Sequence, residues 1–135
     1  MDPEVARLVD IQAIRVLSAL YNRAVDEGDA DAFASVFTED GRFETLGPSG
    51  PIIRQGREAL EEMATRPPRN QLHTTTDAVV TVDGDKAQQV CSLACFKRPE
   101  RVGELPSIVV GHYEDELVRT PAGWKFTLRR ATAWF

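Results

Sequence analysis

Apolar residues at Leu8, Ile11, Ile14, Leu17, Tyr21 and Val25 recur every three or four positions, the spacing of one face of an α-helix. Asp2 before Pro3 offers an N-cap with proline in the first turn, and Gly28 offers a stop, so the pattern predicts one long helix ending there. Asp29 then caps a short second helix, Ala30 to Val36, which buries Phe33 and Val36. Phe37-Thr38-Glu39-Asp40-Gly41 reads as a turn. Arg42 to Leu46 alternates as a strand does, Gly47-Pro48-Ser49-Gly50-Pro51 is a loop, and a short edge strand is expected at Ile52 to Gln55. Gly56 opens a third helix through Glu58, Leu60, Glu61 and Met63 that the Pro67-Pro68 pair ends.

Beyond that point the strand period takes over. Leu72 to Val82 turns at Asp83-Gly84-Asp85 into Lys86 to Lys97. After a loop from Pro99 to Pro106 a strand runs Ser107 to Arg119, and Thr120-Pro121-Ala122-Gly123 turns it into a last strand, Trp124 to Phe135. Helices first and long antiparallel strands last predict an α+β domain in which a curved sheet wraps the early helices. The strands Val90 to Phe96 and Ile108 to Val118 are apolar on both faces. One face is therefore expected to cover the helices, and the outer face to meet a second copy of the chain in a homodimer.

The chain has 135 residues, 21 Asp and Glu against 16 Lys and Arg, with 42% apolar and 27% charged, the proportions of one soluble domain spanning residues 1–135. Such a chain buries roughly 68% of its unfolded surface, enough for a core and one internal pocket. The net charge of −5 argues against a nucleic-acid binder, which needs a basic face. No apolar run approaches the roughly 18 residues of a spanning helix, and Met1-Asp2-Pro3-Glu4 has no signal-peptide character, so a cytoplasmic protein away from membranes is expected. Cys91 and Cys95 are four residues apart on one expected strand, about 13 Å, too far for a disulfide. With His73 and His112 the only histidines, no metal-ligand spacing occurs, and neither a metal nor an organic cofactor is expected.

Taken in order, Tyr21-x-x-x-x-Asp26-x-Gly28-Asp29, Phe37-Thr38-Glu39-Asp40-Gly41, Gly56-Arg57-Glu58, His73, Asp83-Gly84-Asp85 and Gly123-Trp124-Lys125-Phe126 resemble the SnoaL-like branch of the nuclear transport factor 2-like superfamily. The resemblance covers nearly the whole chain. It implies a cone-shaped α+β barrel, cystatin-like, with a pocket at its open end. Activities differ among such relatives, which include scytalone dehydratase, a hexachlorocyclohexane dehydrochlorinase, ketosteroid isomerase, polyketide cyclases and silent binding modules. Carried over residue by residue, Asp26 and His73 match the Asp/His pair of the dehydratases and the dehydrochlorinase, and Tyr21 matches a tyrosine that hydrogen-bonds a substrate oxygen. Asp115 lies near the position of a protonated aspartate that ketosteroid isomerase keeps beside its oxyanion tyrosine, and polyketide cyclases place an acid/base aspartate in roughly this strand. Thr45 stands where ketosteroid isomerase has its proton-shuttling carboxylate, so that enzyme's own reaction is not implied. Cys91 stands near the place of a second histidine in scytalone dehydratase.

By themselves the residues leave alternatives open. On an ideal helix Asp26 projects with Gln12, Arg15 and Asn22 on the polar side, as a solvated carboxylate would, yet it sits in the last turn, where the helix dipole disfavours an acid. His73 shares strand parity with Thr75, Asp77 and Val79, opposite to Ala78, Val80 and Val82. On a regular pleat it leaves the apolar face, and a bulge would reverse this. Trp124, Phe126, Leu128, Arg130, Thr132 and Trp134 share a face that Arg130 interrupts; Val109, Gly111, Tyr113, Asp115 and Leu117 share one that Asp115 interrupts. Either the two charges pair at the rim of the core, or both line the pocket, Arg130 orienting a polar group and Asp115 acting as donor or acid. His112, beside Glu114 and Glu116, is expected at the surface.

The leading expectation is a cofactor-free lyase or isomerase of dehydratase, dehydrohalogenase or polyketide-cyclase type for a largely apolar small molecule, cyclic ones included, by loss of water or halide, isomerisation or ring closure. His73 takes a proton with Asp26 behind it, Tyr21 stabilises charge on a substrate oxygen, and Phe33, Phe43, Tyr113, Phe126 and Trp134 supply the apolar wall. The alternative is a non-catalytic ligand-binding or dimerisation module of the same shape. The two differ in whether Asp26 and His73 meet at about 2.6–3.2 Å beside a cavity.

Overall fold

Capping decides the helical boundaries. In the computed structural model, which describes residues 1–135 except Pro48, Pro67, Pro68 and Phe135, helix α1 spans Pro3–Glu27 because the Asp2 carboxylate accepts from the Glu4 and Val5 amides and Gly28 closes the other end at φ 71°. Its buried stripe runs Ile14, Leu17, Tyr21 and Ala24, while Leu8, nearer the N-terminus, is exposed. Asp29 accepts from the Ala32 amide at 3.1 Å and starts α2 (Ala30–Ser35), with Val36 as its C-cap rather than its last residue. Helix α3 covers Arg57–Thr65. Arg57 ties it to Asp31 of α2 and to its own Glu61. The Pro67-Pro68 stop lies outside the described residues.

The strands are β1 (Phe37–Gly47), β2 (Gly50–Gln55), β3 (Gln71–Asp83), β4 (Lys86–Lys97), β5 (Ser107–Thr120) and β6 (Gly123–Trp134). They form one curved sheet in the order β2-β1-β6-β5-β4-β3. The β3–β6 run is an antiparallel meander, whereas β1 lies parallel to β6 and carries β2 as its antiparallel edge partner. The α+β architecture anticipated from the residue pattern is the one observed. Segment 37–41 differs: it is the start of β1, not a turn. Phe37 pairs with Phe126 before the register slips ahead of Arg42, so the turn-forming residues are absorbed as a bulge. Burial of the Phe37 ring against those of Tyr21, Phe33 and Phe126 holds the backbone to the sheet there.

These rings, with Leu60 of α3 and Leu117 of β5, belong to a core drawn from helices and strands alike. At the opposite end Asp10 acts as a staple. Its carboxylate accepts two bonds from Arg119, 2.8 and 2.9 Å, and one from the Trp124 indole at 3.0 Å, binding α1 to the β5–β6 hairpin. The Arg119 bond chiefly holds the Asp10 carboxyl below its ordinary value. A carboxyl lowered in the folded state stabilises above its unfolded value, about pH 4, and that contribution is lost as pH falls through the folded value. Asp10→Asn is therefore expected to lower the melting temperature at neutral pH by about 1–4 °C and to flatten the acid limb of the stability profile. Identical acid limbs in thermal melts of the two proteins would refute the assignment.

Candidate active site

A single extra residue in β3 aims the histidine. The β3–β4 register runs Thr76↔Ser92, then Val79↔Val90, so Asp77 and Ala78 together oppose Cys91. Asp77 has φ 56°, the left-handed conformation such a bulge uses. Below the bulge His73 and Thr75 take the inner face; above it Ala78, Val80 and Val82 do. Helix α1 seals the distortion, Arg15 donating to the Ala78 carbonyl at 3.2 Å and Asn22 to the Thr75 hydroxyl at 3.3 Å.

Inside, His73 meets Asp26. The imidazole Nδ1 lies 2.5 Å from Asp26 Oδ1, and the His73 backbone amide donates to Oδ2 at 2.9 Å. A carboxylate accepts only, so Nδ1 is the donor, and in the neutral imidazole that leaves Nε2 as the acceptor. Among the described residues Nε2 has no hydrogen-bond partner, and both side chains are 14% exposed. They line a cavity of about 360 Å³, with Tyr21 and Val25 of α1, Phe43 and Thr45 of β1, Met63 and Ala64 of α3, Leu93 and Cys95 of β4, Val109 and Tyr113 of β5 and Ala131 of β6. Arg66, Arg69 and Lys97 line it too. Burial and the neighbouring Asp26 push the Cys95 thiol up, so it stays protonated. A larger groove of about 640 Å³ along Thr81, Gln88 and Glu116 holds no comparable pair.

A second bulge sets the cavity floor. Glu116 pairs with Leu128 and Leu117 with Phe126, leaving Thr127 as the extra residue of β6. Parity changes there: Trp124 and Phe126 point inward, then Arg129 and Ala131. Arg129 is fully buried, with its guanidinium carbon 3.6 Å from the Tyr113 ring centre, 4.4 Å from that of Tyr21 and 4.7 Å from that of Phe126. Its Nε lies 3.1 Å from Asp115 Oδ1, and Gln89 donates to Asp115 Oδ2 at 2.8 Å. Burial pushes the Asp115 carboxyl up, opposed by the Arg129 charge and the Gln89 bond. The phenols of Tyr21 and Tyr113 are also pushed up, Tyr113 to about 12, chiefly by burial, so both remain O–H donors at neutral pH.

Several expectations are thereby corrected. Asp115 does not line the cavity and does not pair with Arg130; its partner is Arg129, because the Thr127 bulge exchanges the two arginines between faces. Arg130 lies outside, 2.8 Å from Glu44. Trp134 is exposed on the outer side near His112, and Phe33 and Phe126 are core residues behind Tyr21 and Tyr113 rather than cavity wall. Phe43 and Tyr113 do line the cavity, as does Tyr21. Arg129, Gln89 and the three cations went unnoticed in the sequence; only a pairing register, which residue order does not disclose, separates Arg129 from Arg130. Among the described residues no three His, Cys, Asp or Glu side chains are placed to hold a metal ion. No helix among them is long and apolar enough to cross a membrane.

The curved sheet around N-terminal helices is the cystatin-like α+β fold of nuclear transport factor 2-like proteins, here with an Asp/His pair in a lined cavity. Within that class the chain belongs to the SnoaL-like domain family, which matches residues 6–130. Rv3472(D26N), a function-unknown protein from Mycobacterium tuberculosis, is 30% identical with a TM-score of 0.88, over 99% of this chain and 77% of that one. An NTF2-like protein with a cystatin-like fold from Novosphingobium aromaticivorans is 27% identical, TM-score 0.81, over 96% and 84%. A protein of the same organism, provisionally named a scytalone dehydratase, shares the fold at 21% identity, TM-score 0.79, over 96% and 87%. No curated protein matches the chain.

The buried pair has a measurable consequence. Asp115→Asn leaves the Arg129 charge without its counter-ion and is expected to cost about 3–5 kcal/mol in urea unfolding, whereas Arg130→Gln should leave stability nearly unchanged. Equal effects would contradict the assignment of partners.

Proposed function

We propose that this protein is a cofactor-independent lyase or isomerase acting on a largely apolar small molecule by His73/Asp26 acid–base chemistry. One observation carries the reading: an imidazole anchored through Nδ1 and its own backbone amide to one carboxylate, with Nε2 unpartnered on a cavity wall. Asp26 fixes the tautomer and balances the imidazolium charge once a proton arrives. Nε2 takes a proton from a substrate carbon, and the C–H electron pair becomes a C=C π bond. The group on the adjacent carbon leaves with its bonding pair, a halide as the anion, a hydroxyl as water after receiving the proton back from His73. In isomerisation the same proton returns to a different carbon.

Charge that develops on a substrate oxygen needs a donor. Tyr21 and Tyr113 both line the cavity, and burial keeps both phenols protonated, so either can offer its O–H to a substrate oxygen. Arg129 over both rings draws electron density toward itself and makes that O–H a better donor. The names carried by similar folds, dehydratase among them, agree with this class of reaction. In a screen of cyclic hydroxy-ketones followed by enone absorbance, Asp26→Asn and His73→Ala are each expected to cut turnover by about 10²–10⁴-fold with the fold retained by circular dichroism. Turnover undiminished in both variants would show the roles to be wrong.

We propose further that two copies pair through the outer sheet face. Val79, Val90, Ile108, Val110 and Trp134 are exposed there on four adjacent strands, an apolar surface of the kind a second copy covers. Light scattering on a sizing column at micromolar concentration should give twice the 15.0 kDa chain mass; a monomer alone would exclude the pairing.

A further inference from the structure

The cavity is electrically lopsided. Its inner wall is apolar, Phe43, Leu93, Val109 and Ala131, and carries one carboxylate, Asp26, which His73 already engages. Three cations also line it: Arg66 and Arg69, both in the segment between α3 and β3, and Lys97, the last residue of β4. All three are exposed, so they stand where the cavity opens to water. Among the described residues none of the three is in ion-pair contact with a carboxylate. On a chain of net charge −5, three cations without counter-ions around one opening are a local reversal of sign.

One of them is held in place. A Cβ built on Gly28 would meet Arg69 Nε at 2.8 Å and Cδ at 2.9 Å, so the Arg69 side chain lies directly against the glycine that ends α1. Gly28 thus meets two demands, its positive φ and the room Arg69 needs. The guanidinium rests at the negative end of the α1 dipole, whose last turn has no basic residue of its own.

From this we infer that the site takes amphipathic anions: an apolar ring body inserted toward Asp26 and His73, with a carboxylate, sulfonate or similar group held at the mouth by Arg66, Arg69 and Lys97. This rests on the proposed reaction site and names its substrate class. The orientation follows from charge alone. An anion pushed inward would approach Asp26, while at the mouth it meets three positive groups and keeps its remaining hydration. An electrically neutral ligand would have no such preference.

Two fluorescent probes of one skeleton test it: 8-anilinonaphthalene-1-sulfonate and its uncharged counterpart N-phenyl-1-naphthylamine. The sulfonate should bind about tenfold tighter at low salt, an advantage that shrinks when salt is raised to about 0.5 M. Arg66→Gln, Arg69→Gln and Lys97→Gln should each weaken the sulfonate by about two- to fivefold and leave the neutral probe unchanged. Ala133 of β6 also lines the cavity, and Ala133→Phe, which places a ring in it, should abolish binding of both. Equal affinity for the two probes, equal weakening of both by the charge substitutions, or sulfonate binding that survives Ala133→Phe would each overturn the inference. His73→Ala should keep the sulfonate preference, so failure of the catalytic proposal and failure of this one give different results.

Discussion

A guanidinium without solvent contact at the centre of a 135-residue protein is the constraint around which the rest is arranged. Moving such a charge out of water costs several kcal/mol, and the cost is tolerable only if every side of the ion meets something suitable. Asp115 supplies the opposite charge, Gln89 supports Asp115, the Ser18 hydroxyl lies 3.5 Å from Arg129 Nη2, and three aromatic rings pack against the guanidinium, whose Nη1 has no hydrogen-bond partner among the described residues. Those demands reach across α1, β4, β5 and β6 at once. They also lock Tyr21 and Tyr113, so the phenols at the cavity floor are held by the core and not by flexible surface elements.

The two bulges do for direction what Arg129 does for rigidity. A pleated strand allows only one set of alternate residues on its inner face, and neither β3 nor β6 has a single set that suits both of its ends. In β3 the shift at Asp77 lets His73 face the helices at one end while Ala78, Val80 and Val82 do so at the other. In β6 the shift at Thr127 gives Trp124 and Phe126 to the core at one end and Arg129 and Ala131 at the other. Each bulge separates a packing half of the sheet from a site half, and the curved sheet accommodates the added twist.

Chemistry in the cavity is consequently partitioned by depth. The protonatable pair and the phenols are sheltered among apolar walls, where hydrogen bonds and charges act more strongly than in water. The cations stand at the opening, where hydration costs them little. Membership of the SnoaL-like family is compatible with many reactions on this scaffold. Which groups face the cavity is what distinguishes this chain: Thr45 and Cys95 offer no second carboxylate or imidazole beside the Asp26–His73 pair.

Residue order alone determined the first two helices, through the Asp2 and Asp29 caps and the stop at Gly28, the third from Gly56 onward, and the β3–β4 and β5–β6 hairpins through their glycine-bearing turns. It also singled out Asp26 and His73 as partners, by resemblance and not by periodicity, since ideal helix and strand phases pointed both side chains away from the interior. Tertiary structure decided which face each strand residue takes. Local preferences are set by neighbours within a few positions and so reach as far as caps and turns. A bulge is chosen by the fit of distant surfaces, here the need to bury Phe37, Phe126 and Arg129 against one helix, and one inserted residue changes the facing of everything beyond it. For that reason Arg130 and Trp134 lie outside, Arg129 lies within, and the pairing of Asp115 could be settled only once the strands were in register.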